Sequence, residues 1–395
     1  MRLYHGDCVE VLRTLPDRSV DTCVTSPPYW ALRDYGAPGQ IGLEPTPGEF
    51  VDRMAGLFRE VRRVLADHGT VWLNLGDTYA SDVKGSGGMG KSTLGAASGG
   101  NGISPEGIDR SQERQQIEPR RFHHGLKAKD LVGIPWRVAF ALQDDGWYLR
   151  SDIIWHKPNP MPESIKDRPT KSHEYIFLLA KQERYYYDAT AVKQPHESVR
   201  WGGRHHKDNP SEKYRGGSEQ KNIASAARVR EDRPEWDHYP EGGKNLRSVW
   251  KIPTRPYPGA HFATFPEELP RLCILAGAPE RVCIECGRPS ERILEEKETG
   301  DWRAGNRDRD MVEGMSRNSL GGQKAYDAYE SPQTIGWTDC GHNQWRPGMV
   351  LDPFAGSATT LLVARNLQRH AIGIELNTEY LQLAAERLQQ LSLLT

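Results

Sequence analysis

Residues 349–390 constrain the fold more than any other part of this chain. The apolar run MVLD breaks at PFAGSATT and passes into the helical pattern TLLVARN. It returns as a second apolar run, HAIGIEL, and ends in the helical LNTEYLQLAAERLQQL. Strand, tight glycine turn, helix, strand and helix in that order is the signature of a parallel sheet, because parallel neighbours need a crossover long enough to hold a helix. The same alternation fills the N-terminal part. LYHGDC leads through VEVLRTL into DTCVTS, and GEFVDRMAGLFREVRRVLADHG places Val51, Met54, Leu57, Phe58, Val61 and Leu65 at helical spacing before the strand TVWLNLGD. Between about 130 and 190, IPWRVAFALQDDG reads as a helix. YLRSDIIWHKP and HEYIFLLAK read as nearly continuous apolar strands, as strands covered on both faces do. The expected fold class is α/β: a doubly wound, mostly parallel, Rossmann-like sheet.

Three polar stretches interrupt this pattern: 81–102, rich in Gly and Ser; 200–247, rich in Arg, His and Gly; and 296–333. They account for the low mean hydropathy of −0.70. With 395 residues the chain suits one large α/β domain with insertions, or two domains. The formal net charge of −1 gives no global attraction to a polyanion, so such a partner must be met by a local patch. Residues 110–129 and 200–251 each carry four more Arg and Lys than Asp and Glu. Six cysteines, no N-terminal apolar leader and no run of 18 apolar residues predict a cytoplasmic protein without disulfides and without a membrane span. Gly85 to Ser92 satisfies the phosphate-loop pattern, but no apolar strand enters it and no helix leaves it, so a flexible loop is expected there.

Two motifs carry chemistry. Asp352 and Gly356 stand where the strand MVLD meets its glycine turn, and Glu375 ends the next strand about twenty residues on. That spacing places a carboxylate on ribose hydroxyls. Gly-x-Gly-x-x-Gly is absent, so the turn is not shaped to wrap a pyrophosphate. S-adenosylmethionine is therefore the expected adenosine ligand rather than NAD or FAD. The second motif is TSPPYW, residues 25–30. Two prolines end sheet pairing and hold Ser26 and Tyr29 at a set angle.

Together, Ser26-Pro27-Pro28-Tyr29, the strand SDIIWHKPNPMPES before DRPTKSHEYIFLLAK, and Asp352-Pro-Phe-x-Gly with Glu375 resemble the β class of amino-DNA methyltransferases, in which the catalytic motif precedes the cofactor motif. The resemblance covers roughly three quarters of the chain. It implies a Rossmann-like, S-adenosylmethionine-dependent site-specific DNA methyltransferase, prokaryotic or phage-encoded, acting on double-stranded DNA, with a cognate restriction endonuclease as a further partner. By the same resemblance Asp352, Phe354 and Gly356 form the methionine-side turn, Glu375 holds the ribose, and Asp7 approaches the adenine or caps the helix that follows. Phe262 and Pro266 of HFATFPEEL match the segment that closes over the methionine end. Ala358 replaces a second glycine of the family pattern. The resemblance further implies that Ser26 and the Pro27 carbonyl hold the target amine and that Tyr29 stacks a flipped base. Trp30 or Trp155 would serve as second walls, and Trp155 is equally well suited to the core. Lys157, Arg168 and Lys171 flank the active-site strands, where they would meet the DNA phosphate backbone or, equally well, stand as solvated surface cations. Ser at the first motif position associates with cytosine-N4 members and Asp with adenine-N6 members. N4-methylcytosine is therefore the first expectation and N6-methyladenine the second, while a catalytically inactive DNA-binding scaffold is the alternative of another class. Ring-carbon methylation would use a cysteine after proline, and no Pro-Cys dipeptide occurs.

The expected organisation is a catalytic half over 1–190 with a flexible loop at 81–129, a target-recognition region over 191–251, a cofactor half over 252–280 and 347–395, and an insertion over 281–346. In that insertion Cys283, Cys286, Cys340 and His342 offer a Cys-x2-Cys and Cys-x-His set for one zinc ion, with free thiols as the alternative.

Overall fold

The computed structural model describes residues 1–32, 34, 36–80, 126–194, 244–254, 265–295 and 334–390. It divides into two compact units, one of 1–191, 247–291 and 337–395, the other of 192–246 and 292–336. In chain order the elements are β1 (Arg2–His5), α1 (Cys8–Thr14), β2 (Val20–Thr25), α2 (Pro47–Val64), β3 (Leu65–Leu75), α3 (Ile134–Asp144), β4 (Tyr148–His156), β5 (His173–Ala180), β6 (Val249–Lys251), α4 (Glu268–Gly277), β7 (Val282–Cys283), β8 (Arg292–Leu294), β9 (Thr334–Trp337), β10 (Trp345–Arg346), β11 (Met349–Asp352), α5 (Thr359–Asn366), β12 (His370–Glu375) and α6 (Thr378–Gln390).

The first unit is built on an eight-stranded sheet in the order β1-β12-β11-β2-β3-β5-β4-β6. Every step is parallel except the two made by β5, which runs antiparallel to β3 and β4. The expected mostly parallel α/β sheet is the one observed. The decisive neighbours are β2 and β11, paired at Thr22–Val350 and Cys23–Leu351 although they come from opposite ends of the chain. Their C-terminal ends, Thr25 and Asp352, therefore open side by side on one sheet edge.

Side chains alternate across a strand, so β3 serves both faces. Val71, Leu73 and Leu75 enter the core beneath α1, α2 and α3. Trp72 and Thr70 face α4, where a Cβ on Gly277 would stand 2.6 Å from both side chains, so only glycine lets that helix lie so close. Thr46 caps α2 by accepting from the Glu49 N–H at 3.1 Å, and Pro47 occupies its first turn, where no N–H is needed. The side chain of Asp77, just past β3, accepts from the N–H groups of Gly133 and Ile134 at 3.0 Å and so caps α3.

The phosphate-loop-like segment lies outside the described residues, as do 81–125 of the expected loop. The flanks of that stretch are joined: Tyr79 bridges to Leu131, and the Ala80 N–H donates to the Asp130 carbonyl at 2.8 Å. In the second unit β8 pairs with β9, and Gln194 bridges to Lys244. Among the described residues no helix is long and apolar enough to cross a membrane.

Candidate active site and cofactor turn

β2 ends at Thr25, whose hydroxyl donates to Asp352 Oδ1 at 2.7 Å, and Ser26-Pro27-Pro28-Tyr29 begins at the next residue. Gly42 supports the turn from below. It holds φ +100°, accepts from the Ala31 N–H at 2.8 Å, and would bring a Cβ to 3.1 Å of the Tyr29 carbonyl and 3.2 Å of the Pro28 Cβ. Ser26 Oγ donates to Tyr29 Oη at 3.3 Å, and Tyr29 Oη donates to Glu174 Oε2 at 2.7 Å. Asn74, next to the end of β3, places Nδ2 2.8 Å from Tyr29 Oη, 3.0 Å from Glu174 Oε2 and 3.3 Å from Ser26 Oγ. All three neighbours are acceptors, which fixes the amide orientation. Asn74 Oδ1 is left buried without a hydrogen-bond partner. Glycine at 76 makes room for the tyrosine, since a Cβ there would stand 2.4 Å from Tyr29 Cε2.

Glu174 anchors this network. Burial alone would raise its carboxyl, but the Lys157 ammonium beside it, with hydrogen bonds from Lys157, Tyr29 and Asn74, holds it below the usual glutamate range. Glu174 and Lys157 are 16% and 20% exposed, so the pair is poorly screened and firmly held. A buried carboxylate left unpaired would be costly, and its partners are all groups of the candidate site.

The candidate cofactor turn lies one strand away. Asp352 is 1% exposed and accepts from Thr25 Oγ1 and Thr360 Oγ1, each at 2.7 Å, and from the Phe354 N–H at 3.1 Å. Burial pushes its carboxyl up to about 6, against the pull of those hydrogen bonds. Asp352 thus ties β2, β11 and α5 together from inside the turn. Glu375 stands at the open edge, with Oε2 accepting from the Gly356 N–H and Oε1 from the Asn377 N–H, both at 2.8 Å, and burial raises its carboxyl. At Gly356, φ is +50° and a Cβ would meet nothing within 4 Å, so the turn faces open space. Ala358 holds φ +60°, fully buried, at the start of α5. Glycine adopts that left-handed conformation freely, and alanine only with strain. Asp7 caps α1, accepting from the Val9 N–H at 2.8 Å and the Glu10 N–H at 3.1 Å, and β1 places it beside the end of β12 through the Gly6 N–H on the Glu375 carbonyl at 3.0 Å. Pro266 is buried and its carbonyl accepts from the Leu269 N–H at 3.0 Å in the lead-in to α4, whereas Phe262 lies outside the described residues.

The expectations for Trp30, Lys157, Lys171 and Arg168 are corrected, and the choice left open for Trp155 is decided. Trp30 is a core residue, 3% exposed, with its indole N–H donating to the Glu44 carbonyl at 2.9 Å, so its ring is not a wall for a base. Trp155 is 3% exposed with its N–H on the Ile252 carbonyl at 2.8 Å, and takes the core role. Lys157 is spent on Glu174 and sits 4.3 Å over the Trp155 ring rather than facing outward to a phosphate. Lys171 and Arg168 are likewise engaged, the first with the Asp77 carbonyl at 3.1 Å and the second with Glu163 at 2.9 Å and over the Tyr79 ring at 3.9 Å. Sequence reasoning missed Asn74, Glu174, Thr25 and Thr360. The signal for Asn74 was present: it is a polar residue between Leu73 and Leu75 at the end of an apolar strand, which requires a partner.

A separate cluster joins Cys283, Cys286, Cys340 and His342, whose ligand atoms all lie within 4.8 Å of one another.

The family model described as DNA methylase, of the N6/N4 type, matches residues 20–284 and 346–386. The chain belongs to this family. Similar proteins include the Type II methyltransferase M.XycI of Xanthomonas campestris pv. cyanopsidis and the Type II methyltransferase M.Cfr9I of Citrobacter freundii. Each is 38% identical over 387 residues, covering 98% of this chain and 87% of the relative. The Type II methyltransferase M.SmaI of Serratia marcescens is 37% identical over 98% of this chain and 90% of its own. Among solved structures, a PvuII DNA methyltransferase described as cytosine-N4-specific matches with a TM-score of 0.49 at 18% identity, over 98% of this chain and 85% of that one. The family match spans both motif regions.

Proposed function

We propose that this N6/N4 DNA methylase is a site-specific methyltransferase that uses S-adenosylmethionine to methylate the exocyclic N4 amine of a flipped cytosine in duplex DNA. The observation that carries the proposal is the orientation of Ser26. Its proton is directed to Tyr29 Oη and one lone pair accepts from Asn74 Nδ2, so a second lone pair remains to accept from an amine, one residue beyond the tie to the cofactor turn.

The residues of the turn fit the cofactor. Glu375 has two backbone N–H groups on its oxygens and further lone pairs for ribose hydroxyls, and Gly356 leaves the space beside it open. Bound there, the cofactor supplies a sulfonium methyl. Asp352 acts from within the turn by holding its shape, Asp7 lies on the same edge toward the adenine, and Phe354 belongs to the methionine side.

The target amine is a poor nucleophile because its lone pair is delocalised into the ring. Acceptors on its hydrogens, Ser26 Oγ and the Pro27 carbonyl, localise that pair, and the prolines keep both in place. Asn74 Oδ1, buried and unpartnered, is a further acceptor at this position. Tyr29 carries the stacking surface. Glu174, with its oxygens engaged by Lys157, Tyr29 and Asn74 and its carboxyl held below the ordinary glutamate range, acts by orienting Asn74 and Tyr29. Cytosine is favoured over adenine by Ser at the first motif position, a family association. The basic region within 191–251 is the candidate for reading the DNA, and the Type II relatives suggest a cognate endonuclease.

Mass spectrometry of nucleosides from DNA treated with the protein and labelled cofactor tests this directly. Label in N4-methylcytidine is expected. Label in N6-methyladenosine would move the target base, label in 5-methylcytidine would refute the mechanism, and none would favour an inactive DNA-binding scaffold.

A further inference from the structure

We propose that Cys283, Cys286, Cys340 and His342 bind one structural zinc ion. A tetrahedral zinc with thiolates at about 2.3 Å and imidazole at about 2.0 Å sets ligand atoms about 3.5–3.8 Å apart. The four ligand atoms converge within 4.8 Å, and His342 Nδ1 stands 3.4 Å from both Cys283 Sγ and Cys340 Sγ. These are side chains of two segments far apart in the chain, brought to one point, with the two histidine–sulfur separations close to those such an ion imposes.

The surrounding backbone forms a knuckle independently of those side chains. Gly287, at φ +70°, lets the chain turn back so that its N–H donates to the Cys283 carbonyl at 3.0 Å, while the Cys286 N–H points at Cys283 Sγ at 3.5 Å. An N–H aimed at the sulfur favours thiolate over thiol. The second arm is fixed by the β7–β10 pair, which sets Cys283 against Trp345, and by the Ile284 N–H on the Gln344 carbonyl at 3.0 Å. His342 turns its other nitrogen toward Glu285, with Nε2 3.9 Å from Oε2, the side on which a carboxylate orients a metal-bound imidazole. Three thiols give up their protons on binding, so Zn²⁺ with three thiolates and a neutral imidazole leaves a net charge of −1. All four positions are filled by protein, which makes the ion structural rather than catalytic. Its ligands bracket residues 287–339, so it closes the excursion between the two arms of the first unit.

The test uses the full-length protein purified without chelator. About one zinc per chain is expected, as isolated or after reloading with one equivalent of Zn²⁺. Cobalt substituted for it should show thiolate charge-transfer bands and the visible spectrum of a tetrahedral site. Cys286, which is exposed, should resist a thiol reagent until a chelator removes the metal. Cys340→Ser should lose the metal; should that variant fail to fold, the cobalt spectrum and thiol protection of the wild type decide alone. No zinc bound after reloading, chelator-independent reaction of Cys286, or a disulfide among these cysteines in peptide mass spectrometry would overturn the proposal.

Discussion

Thr25 and Asp352, 327 positions apart in the chain, share a 2.7 Å hydrogen bond with the threonine hydroxyl as donor, and both are 1% exposed. The bond fixes the start of the Ser26–Tyr29 turn to the start of the cofactor turn. In the proposed mechanism a methyl donor and its acceptor must be held to a fraction of an ångström, and this contact would set that geometry from inside the protein.

Asp352→Ala should therefore cost about 2–4 kcal/mol, because it strands two buried hydroxyls and an N–H. Asp352→Asn should cost less, since an amide keeps two polar atoms in place. The pH dependence separates the variants. The Asp352 carboxyl is pushed by burial up to about 6 from an ordinary value of 3.8, so its protonated form stabilises the fold below 3.8 and that contribution is lost as pH rises through about 6. Thermal melts between those limits should show the wild type gaining on Asp352→Asn as the pH falls. A constant difference between the two would remove Asp352 as the titrating group.

Glu174 has the opposite sign. Lys157 and the hydrogen bonds to Glu174 outweigh the effect of burial and depress the carboxyl. Its stabilising contribution is thus present above the ordinary value of 4.5 and lost only as pH falls through the lower folded value. Lys157→Met should move this acid loss of the network to higher pH. Glu174→Gln should lower kcat by about ten- to a hundredfold with cofactor affinity nearly unchanged, as should Ser26→Ala. A change confined to cofactor affinity, measured by calorimetry, would place Glu174 outside the base site.

Glu375→Ala should weaken S-adenosylmethionine binding by about 1.5–3 kcal/mol, the scale of hydrogen bonds to a charged acceptor. Burial raises the Glu375 carboxyl, and protonation removes lone pairs from it, so wild-type affinity should fall as the solution is acidified through the raised value. Calorimetric titrations across that range check both, and equal affinity in Glu375→Ala would remove the ribose assignment.

Ala358 sits at φ +60° with its methyl fully buried. Ala358→Gly should be neutral or stabilise by up to about 1 kcal/mol, the strain relieved being partly offset by lost burial and greater freedom of the unfolded chain. Ala358→Val should destabilise by about 2 kcal/mol or more, because a β-branched residue tolerates this conformation least. Denaturant midpoints of the two variants measure the difference.

The sequence alone determined the α/β class, the strand and helix of each block, and the two turns at which chemistry is expected. Apolar periodicity, proline stiffness and glycine turns are local properties, written within a few residues of where they act. Only the tertiary structure decided which turns meet. Nothing near Thr25 announces Asp352; the pairing of β2 with β11 brings them together. Asn74 reads as an isolated polar residue between two leucines and Glu174 as part of the polar start of an apolar strand; only the sheet sets them beside Tyr29. Trp30 and Trp155 show the converse. An indole suits a base and a core equally well, and its role is settled by whether a buried carbonyl lies within reach of its N–H, a relation between distant segments that no single stretch of sequence encodes.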